Sequence, residues 1–206
     1  MTGLFITFEG GDGSGKTTQI NLLATWLEAR GKTVVLTREP GGTDLGVELR
    51  NIVLHRKGFI APRAEALLYA ADRSHHIKSL VRPALERGEV VVQDRYLDSS
   101  VAYQGAGRVL DPEEVRELSL WATERLMPNL TVLLDVPASV AKARQALTER
   151  EYDRLEAEAE DFHTRVRESY LSLAAAEPER FLVVNGELPI DEIHQSIITK
   201  VSDLLG

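Results

Sequence analysis

Leu4-Phe5-Ile6-Thr7-Phe8 runs directly into Glu9-Gly10-Gly11-Asp12-Gly13-Ser14-Gly15-Lys16-Thr17-Thr18-Gln19-Ile20-Asn21-Leu22-Leu23. The first five residues form a continuous apolar run of strand type, and the residues after Thr17 continue with a helical pattern. Between them, Gly10 to Thr17 matches G-x-x-x-x-G-K-[ST] at every fixed position, in the strand, loop and helix context that gives the pattern its meaning. Such a turn brings backbone N–H groups and the positive end of a helix together on a polyphosphate. Glycine allows the backbone to approach the phosphates, Lys16 reaches the β and γ oxygens, and the Thr17 hydroxyl is a ligand for Mg²⁺. Gly10, Gly11, Asp12, Gly13, Ser14, Gly15, Lys16, Thr17 and Thr18 are the expected binding segment for the phosphates of ATP.

Four further apolar runs, 33–37, 90–93, 131–136 and 181–184, join 4–8 as expected strands. Each is continuous rather than alternating, as in parallel strands covered on both faces by helices, and helical patterns lie between them. The expected fold class is α/β, a three-layer sandwich around a five-stranded parallel sheet. Gly31 and Gly88 stand where helices should stop, Asp111-Pro112-Glu113-Glu114 reads as an N-cap, a first-turn proline and a capping-box acid, and Pro128 and Pro178 mark two further ends. The charge-rich stretch 149–167 reads as a solvated helix face.

At 206 residues, with no linker-like stretch, the chain is expected to be one domain, 1–206. It is 43% hydrophobic and 27% charged, with no apolar run near the roughly 18 residues of a membrane span. A formal charge of −8 argues against a protein built to grip nucleic acid, though arginines converging in a cleft can still hold a small anion. There is no cysteine, and no signal peptide precedes the first strand, so a soluble, cytoplasmic protein with no membrane partner is expected. The five histidines form no metal-ligand or base pattern.

A phosphate loop alone does not separate kinases from switches or ATPase engines. A GTPase should carry Asn/Thr-Lys-x-Asp late in the chain, and none occurs. An ATPase engine needs a strand ending in an acid beside a water-polarising residue; 131–135 ends in Asp135, but Val136-Pro137 follows and no partner-binding domain is left. The remaining reading is transfer of the ATP γ-phosphoryl to a small acceptor.

Three stretches at or beyond expected strand ends lie where open α/β sheets bind ligands: Thr37-Arg38-Glu39-Pro40-Gly41-Gly42-Thr43, Leu67-Leu68-Tyr69-Ala70-Ala71-Asp72-Arg73, and Asp94-Arg95-Tyr96-Leu97-Asp98-Ser99-Ser100-Val101-Ala102-Tyr103-Gln104-Gly105. Together with Phe8-Glu9-Gly10-Gly11-Asp12-Gly13 they closely resemble the thymidylate kinase family, in order and at matching spacing over nearly the whole length. The resemblance implies a P-loop nucleoside monophosphate kinase-like fold and a homodimer. It also implies phosphoryl transfer from Mg-ATP to dTMP, giving dTDP.

The residues suit those roles. Asp94 and Arg95 follow the third strand at its tip, so Arg95 can hold the acceptor phosphate near the γ-phosphoryl and Asp94 can orient Mg²⁺ or its waters. The resemblance puts Arg38, Glu39 and Pro40 around the acceptor phosphate and metal, and Glu9 on the sugar 3′-hydroxyl. Tyr69 and Arg73 are four apart and share a helix face, one to stack on a base and one to hydrogen-bond its edge. The family has Phe at the Tyr69 position, so this hydroxyl needs a polar neighbour or water. Ser99, Ser100, Tyr103 and Gln104 match the segment lining the base and the 2′ side of the sugar. A lid is expected at about 142–156. Relatives with glycine at the Gly13 position carry several closely spaced lid arginines, whereas Gln145, Leu147 and Glu149 intervene here. The arginine reaching the transferred phosphoryl is left among Arg150, Arg144 and Arg154, with Arg150 the first choice and Arg154 a local brace held by Asp153 or Glu156. With Lys16 and Arg95, Arg150 completes the expected catalytic set.

Overall fold

The computed structural model describes residues 3–108, 110–146 and 153–206. They form a five-stranded, all-parallel sheet of order β2-β3-β1-β4-β5, with β1 Leu4–Glu9, β2 Val34–Arg38, β3 Val90–Asp94, β4 Leu130–Asp135 and β5 Phe181–Asn185. Each expected strand lies within one residue of its run. Helices α1 (Lys16–Glu28) and α9 (Ile190–Leu205) cover one face. On the other lie α3 (Pro62–His76), which continues through a π-helical turn into α4 (Arg82–Glu86), together with α6 (Pro112–Ala122) and α8 (Glu160–Ala176).

Strand alternation sorts the core. Ile6, Phe8, Val90 and Val92 face α1 and α9, packing on Leu23, Leu27, Ile193 and Ile197. Phe5 and Val91 face the opposite way, against Ile77, Val81, Leu85 and Tyr96. Truncation of a fully buried leucine such as Leu23 costs about 2–5 kcal/mol in such a core. On the Phe5 side β1 also carries Thr7, whose hydroxyl pairs with that of Thr131 at 2.9 Å.

Two expectations need correction. Central strands are covered on both faces, but the edge strands β2 and β5 are not: Leu36 and Val183 are exposed, because an outermost strand has a neighbour on one side only. The capping box does not close either. Asp111 caps α6 by accepting from the Glu113 N–H at 2.9 Å, while Glu114 turns outward to Arg63, 3.2 Å away. No helix among the described residues is long and apolar enough to cross a membrane.

The register positions the site. Phe8 and Arg38 are both register partners of Asp94, so the carboxyl ends of β1, β2 and β3 terminate together. Their continuations, Glu9 to Asp12, Glu39 to Gly42 and Arg95 to Ser99, therefore emerge side by side at one end of the sheet.

Candidate active site

The glycine-rich turn between β1 and α1 closes tightly. Gly13 has φ +83°, and a Cβ there would stand 2.6 Å from the Ala141 carbonyl oxygen on α7 (Ala138–Gln145). Lys16 is buried and donates to the carbonyls of Gly10 (3.0 Å) and Gly11 (2.9 Å), so its ammonium lies along the inside of the loop. Burial and then the positive charge of Arg95 lower its pKa, opposed by Asp94, Asp12 and Glu9. Thr17 is exposed at the start of α1, and Asp12 projects from the loop's tip.

Arg95 joins this loop to the neighbouring stretches. It takes a left-handed backbone (φ +67°), uncommon for a side chain of its size, and its N–H donates to the Phe8 carbonyl at 2.9 Å. The sharp bend turns its guanidinium back over the loop, where Nη2 meets Asp12 at 2.7 Å and Nη1 meets Ser99 (3.2 Å) and Tyr170 (3.3 Å). Tyr103 stacks below, with the guanidinium carbon 4.9 Å from its ring centre.

Behind Arg95 lies Glu9, fully buried. Its Oε1 accepts the Tyr96 N–H at 2.7 Å, and Oε2 accepts the hydroxyls of Ser99 (2.6 Å) and Tyr170 (2.8 Å). Burial and then the negative charge of Asp98 push Glu9 from the ordinary 4.5 up to about 7, against these donors and Arg95. Asp98 is itself clamped by both Nη atoms of Arg180, at 2.7 and 2.9 Å.

Beside the loop opens a cleft of about 460 Å³, counted out into open solvent. Of the expected acceptor residues, Glu39, Pro40, Tyr69, Arg95, Tyr103 and Gln104 line it. Glu9 and Ser99 sit behind Arg95, and Ser100 and Arg73 lie deeper. Arg73 is 2% exposed and donates to Glu39 (2.7 Å), Ser119 (3.0 Å), Ser100 (2.9 Å) and the Tyr96 carbonyl (3.3 Å). Tyr69 and Arg73 do share a face, but the tyrosine reaches the cleft while the arginine braces its floor. The other Glu39 oxygen meets His76 Nδ1 at 2.9 Å, and His76 Nε2 meets the Thr37 hydroxyl at 2.7 Å. That packing explains Gly42, where a Cβ would stand 2.5 Å from the same imidazole.

Arg38 is exposed at the tip of β2 with no ion pair among the described residues. It acts on Arg50, which the sequence reading missed. Arg50 ends α2 (Asp44–Arg50), donates to the Pro40 carbonyl at 3.0 Å and lines the cleft; burial and then Arg38 lower its pKa. Arg50 and Arg95 therefore both face the cleft, with Arg38 close enough to act on Arg50. Leu54, Asp153 and Leu155 also line it. Tyr170 was missed as well; its only signal was a hydroxyl at a core position, four residues beyond Val166, in need of a partner.

The 149–167 stretch is not simply a solvated face, since Leu155, Glu156, Phe162 and Val166 are all buried. Arg154 is braced differently from expectation. Its Nε donates to the Val53 carbonyl at 2.9 Å and Nη2 to Glu65, whereas the Asp153 carboxylate accepts the N–H groups of Leu155 and Glu156 at 2.9 Å each. Arg150, the first-choice lid arginine, lies outside the described residues, as do Leu147 and Glu149. A larger cleft, about 910 Å³ counted out into open solvent and walled by both apolar and charged residues, lies on the other side of the loop between α7 and α8; Asp12 and Tyr103 line both spaces and so partition them.

Two groups suit a hard divalent cation. Asp94 Oδ1 is buried with no hydrogen-bond partner among the described residues, and the carboxylate lies near enough to Lys16 to raise its pKa. Its oxygens and the exposed Thr17 hydroxyl are both hard donors of the kind that Mg²⁺ takes. Asp135, the acid of the ATPase alternative, instead accepts Arg167 Nε and Nη2 at its two oxygens, at 2.6 and 2.9 Å.

Known proteins resemble this chain over nearly its whole length. The model of the family described as thymidylate kinase matches residues 8–197. A thymidylate kinase of Clavibacter michiganensis subsp. michiganensis is 64% identical over 206 residues, covering 100% of this chain and 98% of that one. One from Leifsonia xyli subsp. xyli is 68% identical over 195 residues, covering 95% and 92%. The crystal structure of thymidylate kinase from Ehrlichia chaffeensis superimposes with a TM-score of 0.79 at 32% identity, covering 98% of this chain and 99% of that one. The chain belongs to the thymidylate kinase family.

Proposed function

We propose that the chain moves the γ-phosphoryl group of Mg-ATP onto dTMP, giving dTDP and ADP, with the acceptor in the cleft lined by Tyr69, Arg95 and Gln104. The observation that carries this assignment is Arg95, held at the wall between the phosphate loop and a cleft that also presents Arg50.

The chemistry is an approach of two anions, and the acceptor phosphate is already largely ionised at neutral pH, so no general base is needed. Alignment and neutralisation dominate. The loop N–H groups and Lys16 hold the donor's β and γ oxygens. Arg95, Arg50 and Arg38 receive the acceptor phosphate, and Arg95 can reach toward the donor because it already reaches Asp12. Tyr69 and Tyr103 offer ring surfaces to the base and sugar. Thr17 and Asp94 would hold Mg²⁺, which would supply charge neutralisation for the donor phosphates.

A lid at about 142–156 excludes water in this proposal, or ATP would be hydrolysed. The ties of Arg154 to Glu65 and Val53 support assigning the transferred group to Arg150 or Arg144. The proposed homodimer forms through α3 and α6, where Leu67 and Trp121 are 57% and 78% exposed on a surface shared with Ala71, Leu118, Ser74 and His75. The cytoplasm remains the proposed location. The test is ADP release from ATP with a panel of nucleoside monophosphates: dTMP should be the best acceptor, and preference for another monophosphate overturns the assignment of the cleft to dTMP.

A further inference from the structure

Glu65 stands on α3 one turn before Tyr69 and is fully buried. A buried carboxylate is costly unless its oxygens are filled, and here each is filled from a distant part of the chain. Oε1 accepts Gln104 Nε2 at 3.0 Å and Arg108 Nε at 3.3 Å; Oε2 accepts Arg154 Nη2. Arg154 also gives its backbone N–H to the Leu54 carbonyl at 3.2 Å, and Arg108 continues to Glu158 at 2.5 Å. Gln104 lines the cleft, and so do Asp153 and Leu155 on either side of Arg154. One carboxylate is thus shared by a cleft-lining amide and by the segment that closes the cleft's far wall.

We propose that Glu65 is a positioning residue for the acceptor, which orients Gln104 in the cleft and docks residues 153–158 against it. The inference rests on reading the cleft as the acceptor site. Its physical basis is charge balance: Glu65 and Glu158 face Arg108 and Arg154, two against two. Neutralising Glu65 leaves two guanidinium groups with one carboxylate and turns an amide N–H₂ toward donors. Residues 153–158 lose their anchor, and the cleft loses the wall built from Asp153 and Leu155.

The experiment measures initial rates on the full chain with dTMP varied at saturating ATP and the reverse, for wild type, Glu65→Gln, Arg154→Gln, Glu65→Gln/Arg154→Gln and Gln104→Ala, with melting temperatures. Glu65→Gln should raise the dTMP KM about tenfold while the ATP KM stays within about twofold. Arg154→Gln, at a side chain 20% exposed, should reproduce most of that rise, and the double variant should add little, because both changes break one contact. A purely structural Glu65 would lower the melting temperature and leave the dTMP KM unchanged, or raise both KM values together; either result overturns the inference. If Glu65→Gln fails to fold, Arg154→Gln decides alone, and an unchanged dTMP KM there is fatal. A rise in Gln104→Ala without one in Glu65→Gln would leave the acceptor site standing and remove only this role. No change in any variant removes both.

Discussion

Replacing Glu9 by Gln tests the electrostatics at the centre of the site. A carboxyl group whose pKa is raised on folding, here from 4.5 to about 7 by burial and by Asp98, binds its proton more tightly in the native state than in the unfolded chain. The slope of unfolding free energy against pH is then negative: stability is lost as pH climbs from 4.5 to about 7, and the loss is complete above that. The interval corresponds to about 3 kcal/mol, of which roughly 1 kcal/mol falls between pH 6 and 8.5, a window clear of the sequence pI of 5.2. Glutamine keeps the shape and the acceptor for the Tyr96 N–H but does not titrate.

The assay is urea unfolding of wild type and Glu9→Gln at pH 6 and pH 8.5. The stability of the variant relative to wild type should improve by roughly 1 kcal/mol between the two. Asp72, raised to about 6 by burial and then Glu39, titrates in both proteins and cancels in the difference. A difference independent of pH would refute the reasoning, because it would mean that Arg95 and the two hydroxyls outweigh burial and keep Glu9 ionised throughout. The same group should appear in catalysis. If ionised Glu9 accepts the acceptor's sugar hydroxyl, kcat/KM for dTMP rises through pH 7 more steeply in wild type than in the variant, which keeps only the titration of the acceptor phosphate.

Asp94→Asn should raise the Mg²⁺ concentration for half-maximal rate at least about tenfold with the dTMP KM within about twofold, since it replaces the unpaired Oδ1 carboxylate; an unchanged Mg²⁺ titration places the metal elsewhere. Gly13→Ala must fit a Cβ 2.6 Å from a backbone oxygen at φ +83°, so it should cost about 1–3 kcal/mol of stability and raise the ATP KM, checked by melting and by rates. Tyr103→Ala, which removes the ring under Arg95, should relax discrimination between dTMP and ribothymidine monophosphate; equal losses for both would make the ring mere packing.

Strand positions were readable because each core strand is a continuous apolar run, and the phosphate loop and the Asp94-Arg95 tip were readable because all their chemistry lies within a few neighbouring residues. The exposure of Leu36 and Val183 was not, because which strand is outermost is a property of topology and leaves no local mark. Helical spacing put Tyr69 and Arg73 on one face correctly, yet it could not say that partners from three other segments would hold Arg73 beneath the cleft. Tyr170 reaches Glu9 across 161 positions and Arg154 reaches Glu65 across 89, so neither contact has a sequence pattern to announce it.

The residues hardest to read share one property. Glu9, Glu39, Glu65, Asp72 and Asp98 are at most 4% exposed, and a carboxylate in a sequence is ordinarily taken as surface. Four of the five are paired by charged or hydroxyl donors from separate elements, and the fifth, Asp72, accepts a weak 3.3 Å bond from Gly41 and is pushed toward its neutral form. Burial on that scale is tolerated only where the donors are fixed by the fold, so each carboxylate in turn fixes its donors: Glu9 holds Ser99 and Tyr170, Glu39 holds Arg73 and His76, Glu65 holds Gln104 and Arg154, and Asp98 holds Arg180. In the proposed reaction the motifs supply the groups that meet the phosphates. The buried carboxylates beneath them set where those groups stand, which is why a site made largely of flexible arginines can be rigid enough to align two anions.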